Sequence, residues 1–258
     1  MTGSQPDSNP ESFRPILLIV GVIVAGALVI GAAMLSGRRL SRVTAAAERL
    51  AILPFAPEHE DTALARVGEE LAVTVALALG AVQNITVVDP PSVLAHAHGH
   101  LDRAQAREVA RALGARYFVF GGIEREHGAL RFEGGLFPAD SGYQSRVFAS
   151  GPEADLVAAT DSIAAAVLFK IWASHHMPAV SLTAATTGSS EALAAFLAGE
   201  RDLGAGRTSD AAGDYARAVG ADSIFRLAWE RLSRVASQRR DTAMVNRARR
   251  ALASLATP

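Results

Sequence analysis

Twenty consecutive residues, Ile16 to Leu35, carry no charged or polar side chain. At 1.5 Å per residue, a helix of about this length spans the roughly 30 Å hydrocarbon core of a bilayer. A soluble helix needs a polar face, and a cleaved signal peptide has a basic start and a shorter apolar run. Met1 to Glu11 has no basic side chain. The pattern predicts a short polar tail at 1–15, a single transmembrane helix at 16–36 in contact with membrane lipid, and a connector at 37–48. Gly21 with Ala25 and Ala27 with Gly31 offer small-residue pairs of the kind that let helices approach. Only Arg14 precedes the run, while Arg38, Arg39, Arg42 and Arg49 follow it. The positive-inside rule then favours a cytoplasmic body.

The rest of the chain has the composition of a folded protein. Half of the 258 residues are hydrophobic and the formal net charge is −1, which argues against a general nucleic-acid binder. With no cysteine, disulfides, thiolate metal sites and a cysteine nucleophile are excluded. Charge is segmented. Residues 43–188 hold ten basic and sixteen acidic residues, and residues 189–258 hold eleven and eight.

Hydrophobic patterning from Arg49 onward predicts a mixed α/β layer. Arg49 to Phe55 reads as a strand stopped by Pro54, and Ala56 to Asp61 as an acidic loop. Leu64 to Leu79 reads as a helix closed by Gly80. Ile85 to Val88 reads as a β-branched strand stopped by Asp89-Pro90-Pro91. Gln105 to Leu113 is a helix with Val109, Ala110 and Leu113 inward, followed by a strand over Tyr117 to Ile123. Ala129 to Pro138 alternates as a strand in which Gly134-Gly135 suggests a bulge. Tyr143 to Ala149 returns as another strand, and a long helix covers about 153–173.

These segments carry a resemblance. RLAILPF (49–55), GEELAVTVALAL (68–79), ITVVDPPSV (85–93), AREVARALGARYFVFGGIER (106–125), LRFEGGLFPADSGYQSRVFASG (130–151) and DSIAAAVLFKI (161–171) follow one another as in the TolB amino-terminal-like, FlgO-like α/β domain. The chain resembles that family over 49–175, without its acidic-aromatic lead-in to the first helix. The resemblance implies a cell-envelope or signalling protein that binds protein or peptide, with the folded part across the membrane from the cytoplasm. That opposes the vote of the arginines.

After a linker at 176–188, residues 189–258 resemble tetratricopeptide helices. Leu197-Ala198 stands at the repeat's Leu-Gly position, and Ala211, Tyr215 and Ala218 fit its second helix. The usual proline after that helix is replaced by Gly220-Ala221-Asp222-Ser223. Ile224, Leu227, Ala228, Leu232 and Val235 define a third helix, and Ala243 to Leu255 a fourth. Stable stacks need about three repeats, so two atypical ones are expected to dock on the α/β domain or to end as a capping pair.

No catalytic residue, cofactor site or metal site is expected. His96, His98 and His100 lie in a segment that reads as a loop or short helix, where imidazoles two apart diverge. His175-His176 follow a helix end and favour its dipole. Glu58, His59, Glu60 and Asp61 read as a solvated loop beside a helix N-terminus. Neither Gly121-Gly122 nor Gly134-Gly135 has a phosphate-loop pattern. The expected partner surface is on the C-terminal helices and comprises Tyr215, Trp229, Arg231, Arg234, Arg239 and Arg240, suited to an acidic protein, anionic lipid or the acidic α/β domain. The alternative is a small-molecule sensor or enzyme subunit with its mouth beyond the strand ends, near Phe55-Ala56-Pro57 and Val88-Asp89-Pro90.

Overall fold

The computed structural model describes residues 49–97, 99–142, 145–171 and 179–256. Its centre is a six-stranded sheet of order β3-β1-β4-β5-β6, with β2 also paired to β4. The strands are β1 (Arg49–Ile52), β2 (Ala56–Pro57), β3 (Thr86–Val87), β4 (Tyr117–Glu126), β5 (Ala129–Pro138) and β6 (Ser145–Pro152). β1 runs parallel to β3 and β4, and β4, β5 and β6 form an antiparallel meander.

The helices are α1 (Thr62–Gly80), α2 (Pro90–Leu94), α3 (Arg103–Ala112), α4 (Leu156–Ile171), α5 (Leu182–Ala185), α6 (Ser190–Gly204), α7 (Thr208–Ala221), α8 (Arg226–Gln238) and α9 (Thr242–Leu255). Residues 47–258 form one compact unit, so the α/β layer and the C-terminal helices share a body.

The expected fold class needs correction. The described residues form a mixed α/β sheet with helices, and no helix among them is long and apolar enough to cross a membrane. The longest, α1, has 19 residues but carries Arg66, Glu69 and Glu70 within it. The transmembrane helix expected at 16–36 lies outside the described residues, as do His98, His175 and His176.

One face of the sheet is fully covered. Val119 and Ile123 of β4, Leu130 and Phe132 of β5 and Val147 of β6 pack with Leu71, Val75 and Leu79 of α1 and Ile163, Val167 and Leu168 of α4. Each fully buried leucine in this layer contributes roughly 2 kcal/mol. The two helices are also joined by a buried hydrogen bond of 2.7 Å between the Thr74 and Thr160 hydroxyls. At its start, α1 is capped by Asp61, whose Oδ1 accepts from the Leu64 amide at 2.9 Å. The same amide holds the Asp61 carboxyl below the usual range.

Several local expectations differ from the structure. Pro90-Pro91 opens α2 rather than only ending a strand, because proline suits the first turn, where its missing amide needs no partner. No bulge occurs at Gly134-Gly135. The β4–β5 register runs unbroken, with Gly121 opposite Gly134. Here the glycines serve close approach, since a Cβ on Gly121 would stand 2.4 Å from the Glu133 carbonyl oxygen and 2.9 Å from the Phe132 ring. Ile224 is 71% exposed and its neighbour Phe225 takes the core position. In α3 it is Ala106 and Ala110 that are buried, with Val109 and Leu113 only partly so.

The tightest seam lies between α1 and the β1–β2 turn, where a Cβ on Gly68 would fall 1.9 Å from the Phe55 carbonyl oxygen. Gly68→Ala is expected to destabilise the fold by about 1–3 kcal/mol, the usual cost of overpacking against an immobile group. A denaturation midpoint lowered at unchanged slope checks this, and an unchanged midpoint contradicts the seam.

Candidate interaction groove and the buried charge network

The described residues cover only half of the second face of the sheet. Strand alternation puts Phe118, Phe120, Gly122 and Glu124 of β4 on it, opposite Phe137, Gly135, Glu133 and Arg131 of β5. Arg146, Phe148 and Ser150 of β6 complete the rows. Helix α3 covers the first part, where Ala106 and Ala110 bury against Phe118, Phe137 and Ala139. Its position is held by Arg111, whose Nε donates to the Ala139 carbonyl at 2.8 Å, and by Arg103, whose guanidinium lies 5.3 Å from the Phe137 ring centre.

Beyond α3 the face opens into a groove of about 850 Å³. Phe120, Gly121, Gly122 and Ile123 line it from β4, Arg131, Phe132 and Glu133 from β5, and Phe148 to Ser150 from β6. Pro57, Glu58 and the segment His100 to Arg103 form the rest of the rim. Phe148 is 54% exposed. The Glu58 carboxyl is a hydrogen-bond partner of Glu124 and repels it as a like charge, which holds Glu124 above the usual carboxylate range. Arg131 is paired with Glu126 outside the groove.

A second polar feature is buried where the helices meet the sheet. Glu200 of α6 is fully buried and Arg231 of α8 nearly so. Arg231 Nη2 donates to Glu200 Oε2 at 3.0 Å and lies 2.5 Å from Oδ1 of Asp89, just after β3. Tyr215 of α7 donates its hydroxyl proton to Glu200 Oε1 at 2.7 Å, and Arg234 reaches the other Asp89 oxygen at 3.3 Å. Burial pushes the Glu200 carboxyl up, while Arg231 and Tyr215 pull it back. Burial and the neighbouring Glu200 push the Tyr215 phenol up. A second tie joins Arg201 of α6 to Glu70 of α1 at 2.7 Å.

Of the six residues expected on a partner surface, three face inward. Tyr215 and Arg231 belong to the network, and Trp229 is buried with its Nε1 donating to the Ser223 carbonyl at 2.9 Å. Arg234 is exposed but turned to Asp89. Arg239 and Arg240 are exposed at the turn between α8 and α9. The mouth considered at Val88-Asp89-Pro90 is filled by the Arg231 and Arg234 side chains. The other mouth, at Phe55-Ala56-Pro57, opens on the groove through Ala56 and Pro57.

His96 bonds through Nδ1 to the Ser92 carbonyl at 2.8 Å, whereas His100 lines the groove. Among the described residues no group of three or more side chains is arranged to hold a metal ion. In the acidic loop, Asp61 caps α1 and pairs with Arg125 at 3.3 Å, and Glu58 turns to Glu124.

Two groups were within reach of sequence reasoning. Leu193, Phe196, Leu197 and Glu200 recur at helical spacing, which places Glu200 on the inward face of α6. Alternation along β6 sets Phe148 among Arg146 and Ser150, one large apolar side chain on an otherwise polar row.

No protein-family model matches the chain, and no curated protein matches it. A solved PelC dodecamer from Paraburkholderia phytofirmans is similar at 19% identity, over 48% of this chain and 88% of that one, with a TM-score of 0.32. A superposition that loose carries no conclusion about this chain.

Removing Arg231 strands Glu200 in a dry site. Arg231→Met is expected to cost about 3–5 kcal/mol, and the double change Glu200→Leu with Arg231→Met to recover much of that loss. A double-mutant cycle in urea measures the coupling, and additive single effects contradict it.

Proposed function

We propose that this chain is a membrane-anchored, non-enzymatic scaffold or accessory subunit of a bacterial cell-envelope or signalling assembly, and that it binds a protein or peptide partner. The observation that carries the reading is the half of the sheet face left uncovered by the described residues, with Phe120, Gly122 and Glu133 on its floor and Phe148 exposed. An exposed aromatic side chain in a groove lined by polar groups marks a candidate interaction site. The apolar sequence 16–35 supports contact with membrane lipid. The resemblance to TolB amino-terminal-like domains supports an envelope setting and an extracytoplasmic position at the inner membrane. Arg38, Arg39, Arg42 and Arg49 weigh toward the cytoplasmic side.

The exposed Arg239 and Arg240 make the C-terminal helices a second contact region for an acidic protein. A reading as a small-molecule sensor or enzyme subunit is favoured by one feature, the Glu58–Glu124 carboxyl pair in a groove of ligand-binding size.

A photo-crosslinking amino acid in place of Phe148 tests the proposal in the native cell. The expected result is a discrete protein adduct that does not form when the crosslinker replaces the exposed Ser254 on α9. Equal labelling from both positions, or none from position 148, contradicts the proposal.

A further inference from the structure

Resting on the protein-binding reading above, we propose that the vacant part of the sheet face receives an amphipathic, lysine- or arginine-bearing α-helix of the partner, laid over β4, β5 and β6 beside α3. In an α/β layer each sheet face is normally closed by helices. The first face here is closed along β4 to β6 by α1 and α4. On the second face α3 stops at Phe118, Phe137 and Ala139, and the groove begins where it ends.

The dimensions suit a helix. Three strands about 4.8 Å apart present a strip roughly 10 Å wide between outer strands, close to the diameter of a helix with its side chains. The floor is low at Gly122 of β4, with Phe120 two residues before it on the same strand and Phe148 across on β6 beyond Glu133 of β5, so an amphipathic helix meets aromatic rings and a carboxylate together.

Charge selects the kind of helix. Glu58, Glu124 and Glu133 line the groove and none is in an ion pair among the described residues, although Arg131, opposite Glu124 in the register, attracts both Glu124 and Glu133. Two arginines also line it, Arg131 shared between Glu126, Glu124 and Glu133 and Arg103 over the Phe137 ring, so the four carboxylates of Glu58, Asp102, Glu124 and Glu133 still outnumber the cations. The hydrogen bond and the like charge of Glu58 both hold the Glu124 carboxyl up, and the repulsion between the two is relieved by an incoming cation and worsened by an anion. A strand added along the outer edge of β6 would leave the carboxylates of Glu58, Glu124 and Glu133 unmet, so the structure favours the helix.

The full chain in detergent, with an 18-residue Leu/Lys amphipathic helix bearing fluorescein and a benzophenone, tests the assignment. Its Leu/Glu counterpart serves as the comparison. Binding is expected for the Leu/Lys peptide, with adducts at 120–124, 131–135 and 146–150. Phe148→Ser and Glu124→Lys are each expected to weaken it tenfold or more, whereas Arg249→Glu leaves it unchanged.

Equal or tighter binding of the Leu/Glu peptide, adducts confined to α8 and α9, or no adduct in the groove overturns the proposal. Should a substituted chain fail to fold, the adduct map on the unaltered chain decides. A negative peptide result alongside a discrete native adduct at position 148 sinks only the basic-helix assignment. Loss of that native adduct sinks the protein-binding reading itself.

Discussion

Arg231 is the interaction on which the arrangement of this protein depends. A guanidinium held almost entirely out of water is tolerable only when anions satisfy it. It draws one carboxylate from α6 and another from the loop after β3, while Tyr215 of α7 bonds the first. Three C-terminal helices and the sheet are thereby brought to one point. Displacing α8 leaves the Glu200 carboxylate buried without its cation, and displacing any other of them removes a bond from the network. The weaker Arg201–Glu70 pair ties the same helix to α1. The C-terminal helices are in this way fixed to the α/β layer, with Tyr215, Trp229 and Arg231 turned inward.

That fixture also decides which surfaces are available. The crevice beyond β3, where an open α/β sheet commonly binds its ligand, is filled by the arginines that hold α8. The unfilled surface lies on the half-covered sheet face, bounded by β2, the start of α3 and the edge strand β6. Its low glycine floor, exposed phenylalanine and excess of carboxylates suit the proposed partner, apolar on one side and basic on the other. The exposed arginines beside α9 carry the opposite charge, so the two proposed contact regions would differ in the partner each suits.

Much of the α/β layer was legible because its helices and strands alternate with clear periods. The capping aspartate Asp61 and the β-branched run before Asp89 behaved as local chemistry dictates. What escaped were features set by packing between distant segments. Gly134-Gly135 reads locally as a bulge, yet the Gly121–Gly134 pair lets two backbones close up beneath Phe132. Ile224 and Phe225 are equally apolar, and only the direction of the preceding turn decides which is buried. The inward role of Arg231 depends on Asp89, 142 positions earlier in the chain, a pairing no periodicity reveals. Half-coverage of a sheet face is likewise a property of the assembled layer. The apolar run at 16–35, the plainest feature of the sequence, lies outside the described residues.

The central claim is that the half-covered sheet face is occupied by a partner in the native assembly. Hydrogen–deuterium exchange, compared between the purified chain and the chain in its native membranes, addresses it directly. The account predicts added protection in 120–124, 131–135 and 146–150 in the membranes, with the covered strand β1 unchanged. Protection gained only around Arg239 to Arg250, or exchange in β5 and β6 identical in both states, would contradict it.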